Sequence, residues 1–217
     1  MTCCGSSCRA TADHFNSKVA EDDRQQYKRK GLDTRARRLV DALTEFGIGG
    51  ASILDVGSGI GMISLELLKR GAASATLADA SPAYLEVARA EAIEQRLVDR
   101  MAFIDGDFVE TSRQIAQSDI VVMDRAVCCY PAWRPLMTAA ADHCRRALLV
   151  TYPRNRPDIK LALSLENLQR RFKKDNFRAF VHPPREMDAA LREMGLGRIL
   201  RAGTWVWHID LYARSGS

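Results

Sequence analysis

The segment Leu54-Asp55-Val56-Gly57-Ser58-Gly59-Ile60-Gly61 sets three glycines at alternate positions between a short apolar run and an amphipathic one. Glycines there admit the positive φ of a tight turn and let backbone amides approach a ligand at the start of the next helix. A strand that enters such a turn and leaves as a helix is the building unit of a parallel α/β sheet. The chain repeats that alternation. Residues 51–56, 75–78, 101–104, 120–123 and 147–151 read as strands, and 62–70, 82–95 and 135–146 as helices. Ser81 and Pro82 supply the cap and first-turn residue of the second helix. The uniformly apolar run at 120–123 predicts a central strand, buried on both faces.

Outside this core the pattern is less regular. Residues 1–12 are small and polar with three thiols, and read as a mobile tail. Helical spacing then runs from Phe15 to Leu43, interrupted by Gly31, and predicts one or two helices. Residues 157–194 insert two helices, broken at His182, Pro183 and Pro184. Strand-like runs at 197–201 and 205–213 predict a terminal hairpin around Gly203. The expected fold is therefore a single Rossmann-like, doubly wound, mostly parallel sheet with a C-terminal antiparallel hairpin, an N-terminal helical lid and a helical insertion. Its expected divisions are residues 1–40 for tail and lid and 41–217 for the main domain.

At 217 residues, with 47% hydrophobic and 27% charged side chains, the chain can bury a core of ordinary size. No stretch approaches the ~20 apolar residues of a membrane-spanning helix. Residues 1–13 lack the apolar run of a secretory signal, so a cytoplasmic location with reduced thiols is expected.

The glycine spacing separates two nucleotide-type sites. A dinucleotide fingerprint needs G-x-G-x-x-G, and Met62 stands where its third glycine belongs. The spacing present is D-x-G-x-G-x-G, and in it the sequence resembles the class I S-adenosylmethionine-dependent methyltransferases. Leu77-Ala78-Asp79 ends the second strand 22 residues after Gly57, and Gly106-Asp107-Phe108 follows the third. The resemblance implies S-adenosylmethionine as cofactor, with Gly57, Ser58, Gly59 and Gly61 wrapping its methionine end and Asp55 facing its ammonium. It further implies ribose contacts from Asp79 and Ala80, adenine contacts from Asp107 and Phe108, and a cofactor contact from Asp124.

The acceptor side should lie after the fourth strand, because loops at the carboxyl ends of parallel strands border the ligand crevice. Arg125, Cys128, Cys129 and Tyr130 occupy that loop. The Asn-Pro-Pro-Tyr sequence of enzymes acting on amide or base nitrogens is absent there. Tyr27-Lys28-Arg29-Lys30-Gly31-Leu32, Cys-Cys-Tyr-Pro at 128–131, Tyr152-Pro153-Arg154 and Phe180-Val181-His182-Pro183-Pro184 are similar to bacterial proteins related to magnesium-protoporphyrin O-methyltransferases. That resemblance implies O-methylation of a carboxylate or hydroxyl on a small, partly apolar molecule, with a porphyrin-like acceptor among the candidates. Tyr27 and arginines such as Arg125, Arg154 and Arg178 would contact the acceptor. A hydroxyl acceptor needs a general base, for which His182, His14 and Tyr130 are the candidates; His143 and His208 read as structural.

Other readings compete. Cys3, Cys4 and Cys8 folding over Cys128 and Cys129 would surround a soft ion, which suggests a thiol or metalloid methyltransferase, or a non-catalytic metal or redox sensor. The bland reading packs Cys128 and Cys129 as small hydrophobes, with no metal bound. Residues 145–201 carry fourteen basic against six acidic side chains, which suits an anionic small-molecule acceptor. RNA ranks below it, since no aromatic platform interleaves those charges.

Overall fold

The computed structural model describes residues 6–214, and Cys3 and Cys4 lie outside them. Three N-terminal helices, α1 (Ser6–His14), α2 (Ser17–Lys30) and α3 (Thr34–Phe46), precede the sheet. The core follows as β1 (Ser52–Val56), α4 (Met62–Lys69), β2 (Ser74–Asp79), α5 (Pro82–Glu94), β3 (Met101–Asp105), α6 (Phe108–Thr111), β4 (Ser118–Asp124), α7 (Trp133–Asp142) and β5 (Cys144–Pro153). The chain ends with α8 (Pro157–Phe172), α9 (Pro184–Glu193), β6 (Leu196–Gly203) and β7 (Trp207–Arg214).

The seven strands form one sheet in the order β3-β2-β1-β4-β5-β7-β6. The pairs from β3 to β5 are parallel, whereas β7 runs antiparallel to both β5 and β6. This is the doubly wound, mostly parallel sheet with a terminal hairpin that the alternation predicts. Chain order reverses between β1 and β4, so the crevice at their carboxyl ends is where a ligand is expected to bind.

Successive strand residues feed opposite layers. Ile53, Leu77, Ile120, Val122 and Leu149 pack under α2 to α5, while Leu54, Val56, Val121, Met123 and Leu148 pack against α7 and α9. Burial on both faces explains why the central strands are apolar without alternation.

Side-chain caps set the helix starts: Asn16 accepts from the Lys18 and Val19 amides, Asp33 from Ala36, Ser81 from Tyr84 and Asp107 from Val109. Gly31, at φ +66°, separates α2 from α3.

Three expectations need correction. From Ser6 onward the predicted tail is helix, because Cys8 is buried and Thr11 and His14 pack against the main body. The seventh helix stops at Asp142 and its strand begins at Cys144, so residues 144–146, predicted helical, belong to β5. The break in the insertion is longer than predicted: it runs over 173–183, includes His182 and Pro183, and α9 starts at Pro184.

Candidate active site

A cavity of about 630 Å³ opens at the carboxyl ends of β1, β2 and β4. Asp55, Gly57, Ser58 and Gly59 form one wall, Asp79 and Ala80 a second, and Asp107 and Phe108 a third. Asp124, Arg125, Cys128, Cys129 and Tyr130 border it from the loop after β4. Cys8 and His14 of α1 and Leu163 of α8 cover it.

The turn after β1 is built on backbone that disfavours side chains. Gly57 and Gly59 hold φ values of +68° and +56°. A Cβ on Gly57 would stand 2.7 Å from the Cβ of Ala126, so the turn and the loop after β4 meet at van der Waals limits. Gly61 caps α4 at φ +73° and lies against Leu77 rather than in the cavity. It shapes the turn and contacts no ligand space.

Two polar atoms in this wall lack protein partners. Asp55, 1% exposed, accepts from the Ser64 hydroxyl at 2.7 Å through Oδ2, while its Oδ1 is unpartnered. Burial, with the carboxylates of Asp124 and Asp79 adding to it, pushes the Asp55 acid up to about 7. The buried Ser58 hydroxyl is likewise unpartnered. A buried acid and a buried hydroxyl on one amide-rich turn suit a ligand that carries an ammonium and a carboxylate together.

Asp79 accepts from the Gly59 amide through Oδ2 and the Ser81 amide through Oδ1, both at 2.8 Å. Burial outweighs these bonds and pushes it up to about 6. Each carboxylate oxygen retains acceptor capacity for a diol. Asp107 accepts from the Tyr130 hydroxyl at 3.0 and 3.1 Å. Phe108 borders the cavity but also stacks edge-on against His143, at 5.7 Å.

Residues 53–149 match the family model of the methyltransferase domain. Over these residues the chain carries a methyltransferase domain. Such a domain implies S-adenosylmethionine as methyl donor, and the unpartnered Asp55 and Ser58 atoms fit the methionine end of that molecule.

No curated protein matches the methyltransferase by sequence. Its fold is shared with several solved structures of low sequence identity. Magnesium protoporphyrin IX methyltransferase from Synechocystis PCC 6803, solved with bound SAH, is 18% identical at a TM-score of 0.72, over 94% of this chain and 98% of that one. An O-methyltransferase family protein from Burkholderia thailandensis is 20% identical at 0.68, over 84% and 57%. An O-methyltransferase family 2 protein from Planctomyces limnophilus DSM 3776, in complex with apigenin, is 16% identical at 0.69, over 92% and 62%.

The acceptor side of the methyltransferase differs from expectation. His182 is buried outside the cavity, its Nε2 at 3.1 Å from the Val127 carbonyl and 3.0 Å from that of Tyr130. Burial lowers its pKa, and the neutral ring pins the insertion to the loop after β4. Tyr27 gives its hydroxyl to Glu66, away from the cavity. Arg154 is held on the Thr204 carbonyl and Arg178 on the carbonyls of Asp175 and Phe177, so neither reaches in.

His14 does reach in. Its Nδ1 lies 2.7 Å from Asp175 Oδ2, and its ring stacks on Phe177 at 4.4 Å. Sequence reading passed over Asp175, Phe177 and Arg170. Arg170 lines the cavity from α8 and pairs with Glu166 at 3.1 Å. The spacing of Ile159, Leu163, Glu166 and Arg170 by four, three and four was a signal that they share one helix face.

The thiols at 128 and 129 sit 3.9 Å apart, both sulfurs within reach of the Arg125 carbonyl at 3.0 and 3.3 Å. Their hydrogen bond pushes Cys128 up and holds Cys129 down, and the Arg125 guanidinium lowers both. Among the described residues no group of three or more His, Cys, Asp or Glu side chains is arranged to hold a metal ion, and no helix is long and apolar enough to cross a membrane.

Proposed function

We propose that this enzyme methylates a hydroxyl oxygen on a partly apolar small molecule, with His14 as general base. The observation that carries this reading is the His14–Asp175 pair at the cavity. An ionised carboxylate only accepts, so Nδ1 donates to Asp175, and Nε2 is the ring nitrogen left to take a proton.

When bound, S-adenosylmethionine supplies an electrophilic methyl on a sulfonium. Asp55 Oδ1 would accept from its ammonium, and Ser58 with the turn amides would take its carboxylate. Asp79 would accept from the ribose hydroxyls beside Ala80. Asp107, held by Tyr130, would take the adenine amino group next to Phe108. Asp124, bonded to Thr151 and Arg35, borders this pocket and holds the loop that follows it. His14 Nε2 removes the acceptor proton as the oxygen attacks, and the remaining barrier is lowered by alignment of the reacting atoms.

Arg125 and Arg170 border the same space and suit an acceptor that also carries an acid group. The names of similar folds, which include O-methyltransferases and one in complex with apigenin, support oxygen as the nucleophile. The test is incubation with methyl-labelled S-adenosylmethionine and fractionated host extract. Label in alkali-stable ethers is the expected result. Label in alkali-labile esters would move the acceptor to a carboxylate, which needs no base, and volatile or thiol-bound label would overturn the reading.

A further inference from the structure

Helix α8 has two apolar faces, and the cavity uses one of them. Ile159 is buried, and Leu163 lines the cavity with Arg170. On the opposite face Leu161, Leu165, Leu168 and Phe172 are 62%, 58%, 48% and 81% exposed. At 100° per residue these four fall within an arc of about 60°, along a helix about 24 Å long. Large apolar side chains gathered in one exposed stripe mark an interaction surface.

The charges around the stripe say what covers it. Every acid in this stretch is already paired: Asp158 with Arg156, Glu166 with Arg170, and Asp175 with His14. Lys160, Arg171, Lys173 and Lys174 are exposed, and none has an ion-pair partner among the described residues. Lys160 and Arg171 border one side of the stripe, and the two lysines follow Phe172. At the other end of α8, Trp205 is 70% exposed and stacks against Arg156 at 4.2 Å. Leucines and aromatics on one face, bordered by unpaired cations, match an interfacial helix.

We propose that the outer face of α8 docks on an anionic lipid bilayer, with Leu161, Leu165, Leu168 and Phe172 entering the interface and the four free cations meeting the headgroups. Self-pairing fits the charges less well. Antiparallel stripes that match Leu161 with Phe172 and Leu165 with Leu168 set Lys160 of one copy against Lys173 of the other. Docking would bring the cavity wall formed by the inner face of α8 next to the membrane, where an apolar methyl acceptor accumulates. The surface itself does not depend on which acceptor is methylated.

The experiment is cosedimentation of the full chain with vesicles of phosphatidylcholine alone and of phosphatidylcholine with phosphatidylglycerol, at low and high salt. Binding is expected to the anionic vesicles only and to weaken with salt. Leu165→Ser/Phe172→Ser and, separately, Lys173→Glu/Lys174→Glu are each expected to weaken it by at least about tenfold. All four positions are exposed, so thermal melting should show both variants folded. Equal binding to neutral and anionic vesicles, absence of binding, or binding untouched by either variant would overturn the proposal. A concentration-dependent dimer that Leu165→Ser/Phe172→Ser abolishes, without lipid binding, would assign the stripe to a second copy instead.

Discussion

The imidazole of His14 and the carboxylate of Asp175 meet at 2.7 Å although 161 residues separate them, joining α1 to the segment after α8 over the cavity. Burial pushes Asp175 up, but the Phe177 amide and His14 together outweigh it and hold the acid below the ordinary carboxylate range. The ring orientation is thus maintained across neutral pH and is lost only as acid protonates Asp175. His14→Gln should lower kcat on a hydroxyl acceptor by about 10²-fold or more, the usual contribution of a general base, and remove the alkaline-rising limb of the pH–rate profile. Asp175→Asn should lower kcat less and leave that limb in place. Unchanged kcat in His14→Gln, measured with saturating acceptor, would exclude His14 as the base.

Asp55 predicts opposite effects on stability and binding. Burial pushes its folded-state acid up to about 7, above the ordinary carboxylate range, so the native state holds its proton more tightly than the unfolded chain. Stability contributed by the protonated form is therefore complete below about pH 4 and falls as pH rises through 7. Asp55→Asn keeps the shape and removes that loss. It should melt higher than the parent at pH 8, with the difference shrinking toward pH 4, and it should no longer be stabilised by S-adenosylmethionine. Calorimetry on the parent should show cofactor affinity improving as pH rises through 7, because an ammonium favours the ionised acid.

The buried pair of Arg35 and Asp124 predicts a stability effect of the ordinary sign. Their side chains are 4% and 7% exposed, and Asp124 also accepts from Thr151 at 2.6 Å. Arg35→Met leaves Asp124 only the Thr151 hydroxyl and the Arg125 guanidinium at 4.0 Å, a change that costs about 3 kcal/mol, the low end for a broken buried pair. In a chain of this size that lowers Tm by roughly 6–12 °C. Adding Asp124→Asn should recover much of the loss, and failure to recover would mean that Arg35 acts through packing on Trp207, over which it lies at 6.0 Å.

Local chemistry made the cavity walls after β1 and β2 legible and left obscure how the segments that cover the cavity are held. The D-x-G-x-G-x-G turn, Asp79 at the end of its strand and the Ser81–Pro82 helix start each carry their signal within a few residues. Asp107 is partly legible: its acid borders the cavity, yet its bond from Tyr130 spans 23 residues and could not be read from spacing. Helix α1 escaped notice because Ser6–His14 is small and polar, and packing over the cavity rather than propensity holds it. His182 misled for a related reason. A histidine in a covering segment looks available, whereas two backbone carbonyls 52 and 55 residues away engage its Nε2. The arginines at 154 and 178 are likewise occupied by carbonyls that no spacing rule points to.

The turn itself offers a separation of backbone strain from steric contact. Gly57 and Gly59 both lie in the left-handed region, at +68° and +56°, so alanine at either costs about 1–2 kcal/mol from conformation alone. Only at Gly57 does the added methyl also collide, 2.7 Å from the Cβ of Ala126, while at Gly59 it meets open space. Overpacking adds about 1–3 kcal/mol. Gly57→Ala should therefore melt below Gly59→Ala. Because Ala126 opens the loop that carries Cys128 and Cys129, Gly57→Ala should also raise KM for the acceptor, whereas Gly59→Ala, beside the Asp79 carboxylate, should act mainly on S-adenosylmethionine. Ala126→Gly removes the colliding methyl and should restore the steric part of the Gly57→Ala loss but none of the Gly59→Ala loss. Equal melting of the two single variants, or rescue of both by Ala126→Gly, would mean that the loop after β4 yields and that conformation alone sets the cost.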